Sequence, residues 1–268
     1  IYTLSLHDAL PILLFFGSED GLVYAVSVRT GGVSWTYETE APVRCSPACS
    51  EGHLFIGSDD GYFYAINLDT ERATWRVDVG APIRSMPIVV DGLVYFGTNG
   101  GELLCVDMRG GVKWRFKAKR GIVSSPVFSG GAIYFSALDS VLYALDASSG
   151  WVIWRYRMDK GSISTPFVSG KSLYVGSADG NIYCVHTETG KEIWRYKTAH
   201  QVSGSPVLYN GAIYCGSADG VMYCLDAGSG KPQWTFNTGG PITGAAHIYG
   251  ERLFFGSMDG KLYALPIK

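Results

Sequence analysis

The chain has 268 residues, a formal charge of −2 and 47% hydrophobic residues. That length and apolar content suit a large buried core, and the 35 glycines suit many tight turns. The near-neutral charge argues against a general nucleic-acid-binding surface, which needs clustered Lys and Arg, and no run approaches the ~18 apolar residues needed to cross a bilayer.

The first twelve residues, IYTLSLHDALPI, match no other part of the chain. They resemble translated adapter read-through at a contig end, so residues 1–12 are expected to be non-native or disordered and the parent N-terminus truncated. The alternative is a degenerate first strand. Native sequence is then expected from about Leu13.

From there one unit recurs. Trp35, Trp75, Trp114, Trp154, Trp194 and Trp234 follow one another at intervals of 39 or 40 residues, a period that marks a repeat architecture. Each unit opens on Ser-Pro or a variant: Ser46-Pro47, Met86-Pro87, Ser125-Pro126, Thr165-Pro166, Ser205-Pro206. An apolar run then closes on a tight turn, as in LFIGSDDG (54–61), LYVGSADG (173–180) and IYCGSADG (213–220). A second apolar run follows, and the unit ends on a Gly-bearing turn and the Trp segment.

Four runs of strand length per unit, rich in Val, Ile, Tyr, Phe and Trp, without a sustained helical period, predict four strands. Repetition of that unit predicts an all-β chain, a β-propeller of four-stranded blades forming a single domain over 13–268. The middle runs are apolar at neighbouring positions, as a sheet packed on both faces requires. Seven hairpins start at Gly17, Gly57, Gly97, Ser136, Gly176, Gly216 and Gly256, so the parent is seven- or eight-bladed. Asp-Gly supplies the positive backbone angles of a tight hairpin. The fourth, SALDS (136–140), lacks both glycines, and a different loop geometry is expected there. The first unit lacks a recognisable first strand, and the last stops after three.

Six cysteines show no CxxC spacing. Cys105, Cys184 and Cys224 fall where other units carry Ala25, Ala65, Ala144 and Ala264, which marks a small buried position. Cys45 replaces Ser85 or Ser124 of other units. The six periodic tryptophans read as structural wedges between blades, since a ligand needs one stacking platform and not six. Trp151 lies off the period.

Candidate partner-binding residues come from two places. Three residues before the Pro position lie Arg44, Arg84, Val123, Ile163, Ser203 and Thr243. Arg44 and Arg84 read either as an anion-capturing pair at the inner mouth or as salt-bridge partners of a neighbouring hairpin Asp. Lys117, Lys119, Arg120 and Lys160 sit near the blade junctions and form a candidate patch for an acidic partner. Arg115, Arg155 and Arg195 read as solvating charges on outer strands.

The runs DASSGWVIW (146–154) and DAGSGKPQW (226–234), with HTETGKEIW (186–194) keeping T-G-K-x-x-W, resemble the tryptophan-docking motif of PQQ-like β-propeller repeats. The resemblance covers 13–268. That family includes quinoprotein dehydrogenases and non-catalytic members such as BamB-like outer-membrane assembly lipoproteins and sensor propellers. For a dehydrogenase it implies PQQ, Ca²⁺ and often a disulfide between adjacent cysteines; this chain has no adjacent Cys pair and no long insertions. The expected function is therefore a non-catalytic scaffold for a protein or peptide partner, with no cofactor. A PQQ-dependent dehydrogenase fragment is the alternative. The resemblance also implies the periplasmic or extracellular face of a bacterial membrane.

Overall fold

The computed structural model describes residues 12–267. The expectation for residues 1–12 lies, Ile12 apart, outside them. All regular structure among the described residues is β-strand, so no helix there is long and apolar enough to cross a membrane. The chain divides into two compact units between Pro126 and Val127.

Unit 1 holds three antiparallel sheets. The first is β1 (Leu13–Gly17), β2 (Leu22–Ser27) and β3 (Val33–Glu38). The second is β4 (Ala48–Ser50), β5 (His53–Gly57), β6 (Tyr62–Asn67) and β7 (Arg72–Asp78). The third is β8 (Ile88–Val90), β9 (Leu93–Gly97), β10 (Glu102–Asp107) and β11 (Val112–Lys117).

Unit 2 holds four. The fourth sheet is β12 (Val127–Ser129), β13 (Ala132–Ser136), β14 (Val141–Asp146) and β15 (Val152–Arg157). The fifth is β16 (Phe167–Ser169), β17 (Ser172–Gly176), β18 (Asn181–His186) and β19 (Glu192–Lys197). The sixth is β20 (Val207–Tyr209), β21 (Ala212–Gly216), β22 (Val221–Asp226) and β23 (Pro232–Asn237). The seventh is β24 (His247–Tyr249), β25 (Arg252–Ser257) and β26 (Lys261–Pro266).

Every sheet is a meander of sequence-adjacent strands, and the middle strands are buried on both faces: β5, β6, β17 and β18 each carry four or five consecutive buried residues. Outer strands such as β7 alternate instead, because one face meets water. Side chains of neighbouring sheets interdigitate, for example Phe63 of β6 stacked on Phe96 of β9 at 3.8 Å and 3°.

The Trp motif has a physical explanation. In unit 2 the Trp154 indole N–H donates to Thr187 O of the next sheet at 2.7 Å, and Trp194 to Ala227 O at 3.0 Å. In unit 1 Trp75 donates to Met108 O at 2.8 Å. The Gly of the following motif lies flat against the same ring: a Cβ on Gly190 would fall 2.7 Å from Trp154 Cδ2, and one on Gly230 2.6 Å from Trp194 Cδ2. Both glycines also have positive φ. In these pairs the Gly stands 36 residues after the Trp, where a side chain would meet the ring; after Trp35 the equivalent position holds Glu71, at φ 59°.

The hairpin Asp residues do more than form turns. Asp60 accepts from Tyr62 N–H at 2.8 Å, from the Tyr64 hydroxyl at 2.7 Å and from Glu40 N–H at 3.1 Å on the connection out of the preceding sheet. Asp179, Asp219 and Asp259 repeat all three bonds. The third hairpin has Gly100 at the Asp position, and Leu104 stands where the Tyr would be. Acid and phenol are lost together.

The fourth hairpin does not depart in geometry as the sequence led one to expect. Ser140 takes φ 70°, matching Gly61 at φ 87°, and keeps the turn at a strain of roughly 1 kcal/mol. Its other missing glycine is explained by its neighbour. A Cβ on Gly57 would meet Ile83 Cγ2 at 2.2 Å, whereas Ser136 faces Ser162, and their hydroxyls bond at 3.1 Å.

Candidate functional site

Within each unit, hairpins dock on the connection that enters their sheet. Asp59 N–H donates to Pro42 O at 2.9 Å and Asn99 N–H to Pro82 O at 2.8 Å in unit 1. Ala218 N–H donates to Gln201 O at 2.9 Å and Met258 N–H to Pro241 O at 2.8 Å in unit 2. Hairpins and connections therefore share one surface. The loop residue before the repeating Asp varies most: Glu19, Asp59 and Asn99 in unit 1, and Leu138, Ala178, Ala218 and Met258 in unit 2.

Arg44 and Arg84, in the extended segments leading to β4 and β8, meet at this surface. Arg44 grips Glu19 with both arms of its fork, Nε to Oε1 at 2.8 Å and Nη2 to Oε2 at 2.7 Å, while Nη1 reaches Asp59 Oδ2 at 3.0 Å. Arg84 holds Asp59 in a second fork, with Nε and Nη2 each at 2.9 Å. Asp59 is the anchor, its side chain 10% exposed, whereas Glu19 is 71% exposed. The acids are those preceding the repeating Asp, because the Asp itself is committed to Tyr and backbone.

Two cations and two anions make the cluster neutral. The Arg44 hydrogen bond holds the Glu19 carboxyl below the usual range, and Glu19 in turn raises Arg44. The bond to Asp59 raises Arg84. A cavity of about 350 Å³ beside Arg44 is lined by Phe16, Glu19, Val43 and Cys45 among others. Burial pushes the Cys45 thiol up to about 12; its sulfur bridges Gly57 N–H and O at 3.3 and 3.2 Å, the bonds that the Ser85 hydroxyl makes to Gly97. The arrangement offers charge-assisted recognition of carboxylates and guanidinium groups, with no activated nucleophile.

Lys117 ends β11, with its ammonium 3.0 Å from Gly100 O and 3.8 Å from Glu102. Lys119 and Arg120 are exposed on the connection that follows, and Lys160 is exposed in unit 2. Arg115 pairs with Glu102 at 3.2 Å and Arg195 with Glu192 at 2.7 Å. Trp151 is 78% exposed. All six cysteines are free. Among the described residues no group of three or more His, Cys, Asp or Glu is placed to hold a metal ion. Glu19 and Asp59 are the participants that the sequence reading missed; aligning the loop residue before the repeating Asp would have singled them out as the acidic pair.

The family model described as outer membrane protein assembly factor BamB matches residues 19–109, 91–163 and 141–268. The chain belongs to this BamB-like family of PQQ-like repeats. The crystal structure of BamB from Moraxella catarrhalis superposes with a TM-score of 0.83 at 20% identity, covering 95% of this chain and 82% of that one. The computationally designed Ika8 protein superposes with a TM-score of 0.86 at 16% identity, covering 95% and 80%. At such identities the likeness concerns fold, and the fold of this BamB-like chain is a β-propeller with the seven sheets as blades. No curated protein matches the sequence.

Proposed function

We propose that the chain is a non-catalytic propeller scaffold that binds a protein or peptide partner on the surface where hairpins and connections meet. Membership of a family described by an outer membrane protein assembly factor supports this reading. It also favours a periplasmic or extracellular setting and a partner in outer-membrane protein assembly. The observation that carries the proposal is the Arg44 fork. A solvent-facing guanidinium is braced from beneath by Asp59 and closed from above by the exposed Glu19. A partner carboxylate can take the place of Glu19 without leaving any buried charge unpaired. In the same unit Lys117, Lys119 and Arg120 would add long-range attraction for an acidic partner.

The experiment is site-specific photo-crosslinking from position 46, an exposed place lining the cavity beside Arg44, in the native host, with and without Arg44→Ala. The expected result is a cross-link to an envelope assembly protein that Arg44→Ala reduces. A cross-link indifferent to Arg44→Ala sinks the site. Dye reduction dependent on added PQQ and Ca²⁺ sinks the non-catalytic reading.

A further inference from the structure

The outer strand of the fourth sheet, in unit 2, carries two large apolar side chains at places that are mostly polar or bare elsewhere. Three residues before the periodic Trp stand Gly32, Arg72, Gly111, Lys191 and Lys231, but in the fourth sheet Trp151. One residue before it stand Ser34, Thr74, Lys113 and Gln233, but Ile153 and Ile193 in the fourth and fifth sheets. Trp151 is 78% exposed and Ile153 51%, whereas Trp154 beside them is 8% exposed. Charged side chains on an outer strand discourage pairing with another chain, and an exposed Trp and Ile do the reverse.

The backbone that presents this ring is fixed. Asp146 N–H donates to Trp151 O at 2.8 Å, and Trp151 N–H donates to Ser149 Oγ at 3.4 Å. Trp154 and Trp194 give their indole N–H to a carbonyl of the next sheet, but the Trp151 indole has no hydrogen-bond partner among the described residues. A ring apolar in body and polar at one edge suits a boundary between apolar and wet surroundings.

The rest of β15 is cationic. Arg155 and Arg157 are exposed at alternate positions after Ile153, and Lys160 is exposed just beyond. From Trp151 to Arg157 the chain spans roughly 20 Å. Arg155 lies over the Tyr143 ring at 5.9 Å, and among the described residues no acid pairs with either guanidinium. The corresponding Arg195 of β19 is neutralised by Glu192 at 2.7 Å, and β23 has Thr235 and Asn237 at these places. Within unit 2, β15 thus joins exposed apolar side chains to cations that no acid compensates.

We propose that β15 is a contact strand for an anionic lipid surface. Trp151 and Ile153 enter the boundary between headgroups and acyl chains, and Arg155 and Arg157 meet lipid phosphates, whose geometry guanidinium forks match. A lipid surface fits better than a protein surface because neither guanidinium is braced by an acid. Arg44 is held by the nearly buried Asp59 and presents one fixed geometry, whereas Arg155 and Arg157 can follow phosphates that move. The inference does not depend on the partner reading of the Arg44 surface.

The test is co-sedimentation of the 268-residue protein with phosphatidylcholine vesicles, with and without phosphatidylglycerol. Binding is expected on the phosphatidylglycerol vesicles and should fall with added salt. Trp151→Ser should weaken it at least about tenfold and Arg157→Ala about fivefold, with thermal melts unchanged because both side chains are exposed. Lipids brominated on the acyl chain should quench the tryptophan fluorescence of the wild type and not that of Trp151→Ser. Arg44→Ala should leave binding unchanged. No binding up to about 1 mM lipid overturns the proposal and favours an acidic protein surface as the occupant. Binding indifferent to Trp151→Ser, or equal on phosphatidylcholine alone, also overturns it.

Discussion

Trp154 tests the account of how neighbouring sheets lock. Its side chain is 8% exposed, packs on Tyr134 at 5.8 Å and donates to Thr187 O at 2.7 Å. A ring burying roughly 200 Å² contributes at most ~5 kcal/mol at 25 cal/mol per Å², and large core truncations cost about 3–5 kcal/mol. Trp154→Ala should therefore lose about 3–5 kcal/mol. Trp154→Phe keeps most of the apolar contact and drops the indole N–H, leaving Thr187 O short of a donor, for about 1–2 kcal/mol. Gly190→Ala sets a Cβ 2.7 Å from the ring at φ 66°. In the wild-type background it carries both clash and strain, an expected 2–4 kcal/mol. With Ala at 154 the clash vanishes and about 1 kcal/mol of strain remains. Urea unfolding followed by far-UV circular dichroism gives the four free energies of the cycle. A coupling near zero, or a Trp154→Ala loss below about 1 kcal/mol, refutes the reasoning.

Tyr183→Phe removes the 2.8 Å hydroxyl bond to Asp179 and should cost about 1 kcal/mol; Asp179→Asn in that background should cost less than alone, as the same denaturation cycle would reveal. Arg84→Ala strips a fork from Asp59, and because Arg84 is 35% exposed the discounted loss is about 1 kcal/mol. Most of that should be recovered in the Arg84→Ala, Asp59→Ala double variant, and full additivity in calorimetry argues against the pair. Asp259 is held down to about 2, chiefly by the Tyr263 hydroxyl, and Asp146 to about 2 by Ser148 and Ser149, against an ordinary 3.8. Folded values below unfolded ones mean that this stability is complete above 3.8 and fades as pH falls toward about 2; a urea midpoint constant through that window contradicts it. Burial raises the Cys49 thiol to about 11 and the Cys45 thiol to about 12, so a disulfide reagent near pH ~8 should label the native protein slowly, Cys49 first, and six rapid equivalents would exclude buried thiols.

The architecture was legible because one unit is written several times over. The Trp interval, the Asp-Gly turns and the neighbouring apolar positions report strand count and two-faced burial without any three-dimensional knowledge. Details that depend on pairs were harder to see. The Asp-to-Tyr spacing of four residues, and its joint loss at Gly100 and Leu104, was present in the sequence but needed the hydroxyl bond to give it meaning. The exchange of Gly57 and Ile83 for Ser136 and Ser162 lies 26 residues apart and becomes intelligible only when a Cβ is seen to meet a side chain. At the candidate site, the chain showed Arg44 and Arg84 as outliers among Val123, Ile163, Ser203 and Thr243. Their partners were masked because Glu19 and Asp59 stand beside acids that every hairpin carries.

The Gly100 substitution bears on how the second and third sheets hold together. Elsewhere an aspartate clasps the passing connection, but here Gly80 N–H turns to Asp78 of its own strand at 2.9 Å. The same junction receives the Arg84–Asp59 fork and the parallel Phe63–Phe96 rings. Seams of a repeat protein can thus be fastened by different hardware at equal geometry. This seam has an ion pair without the Asp–Tyr clasp, whereas the seam between the first and second sheets has both, so added salt should loosen it more than that neighbour.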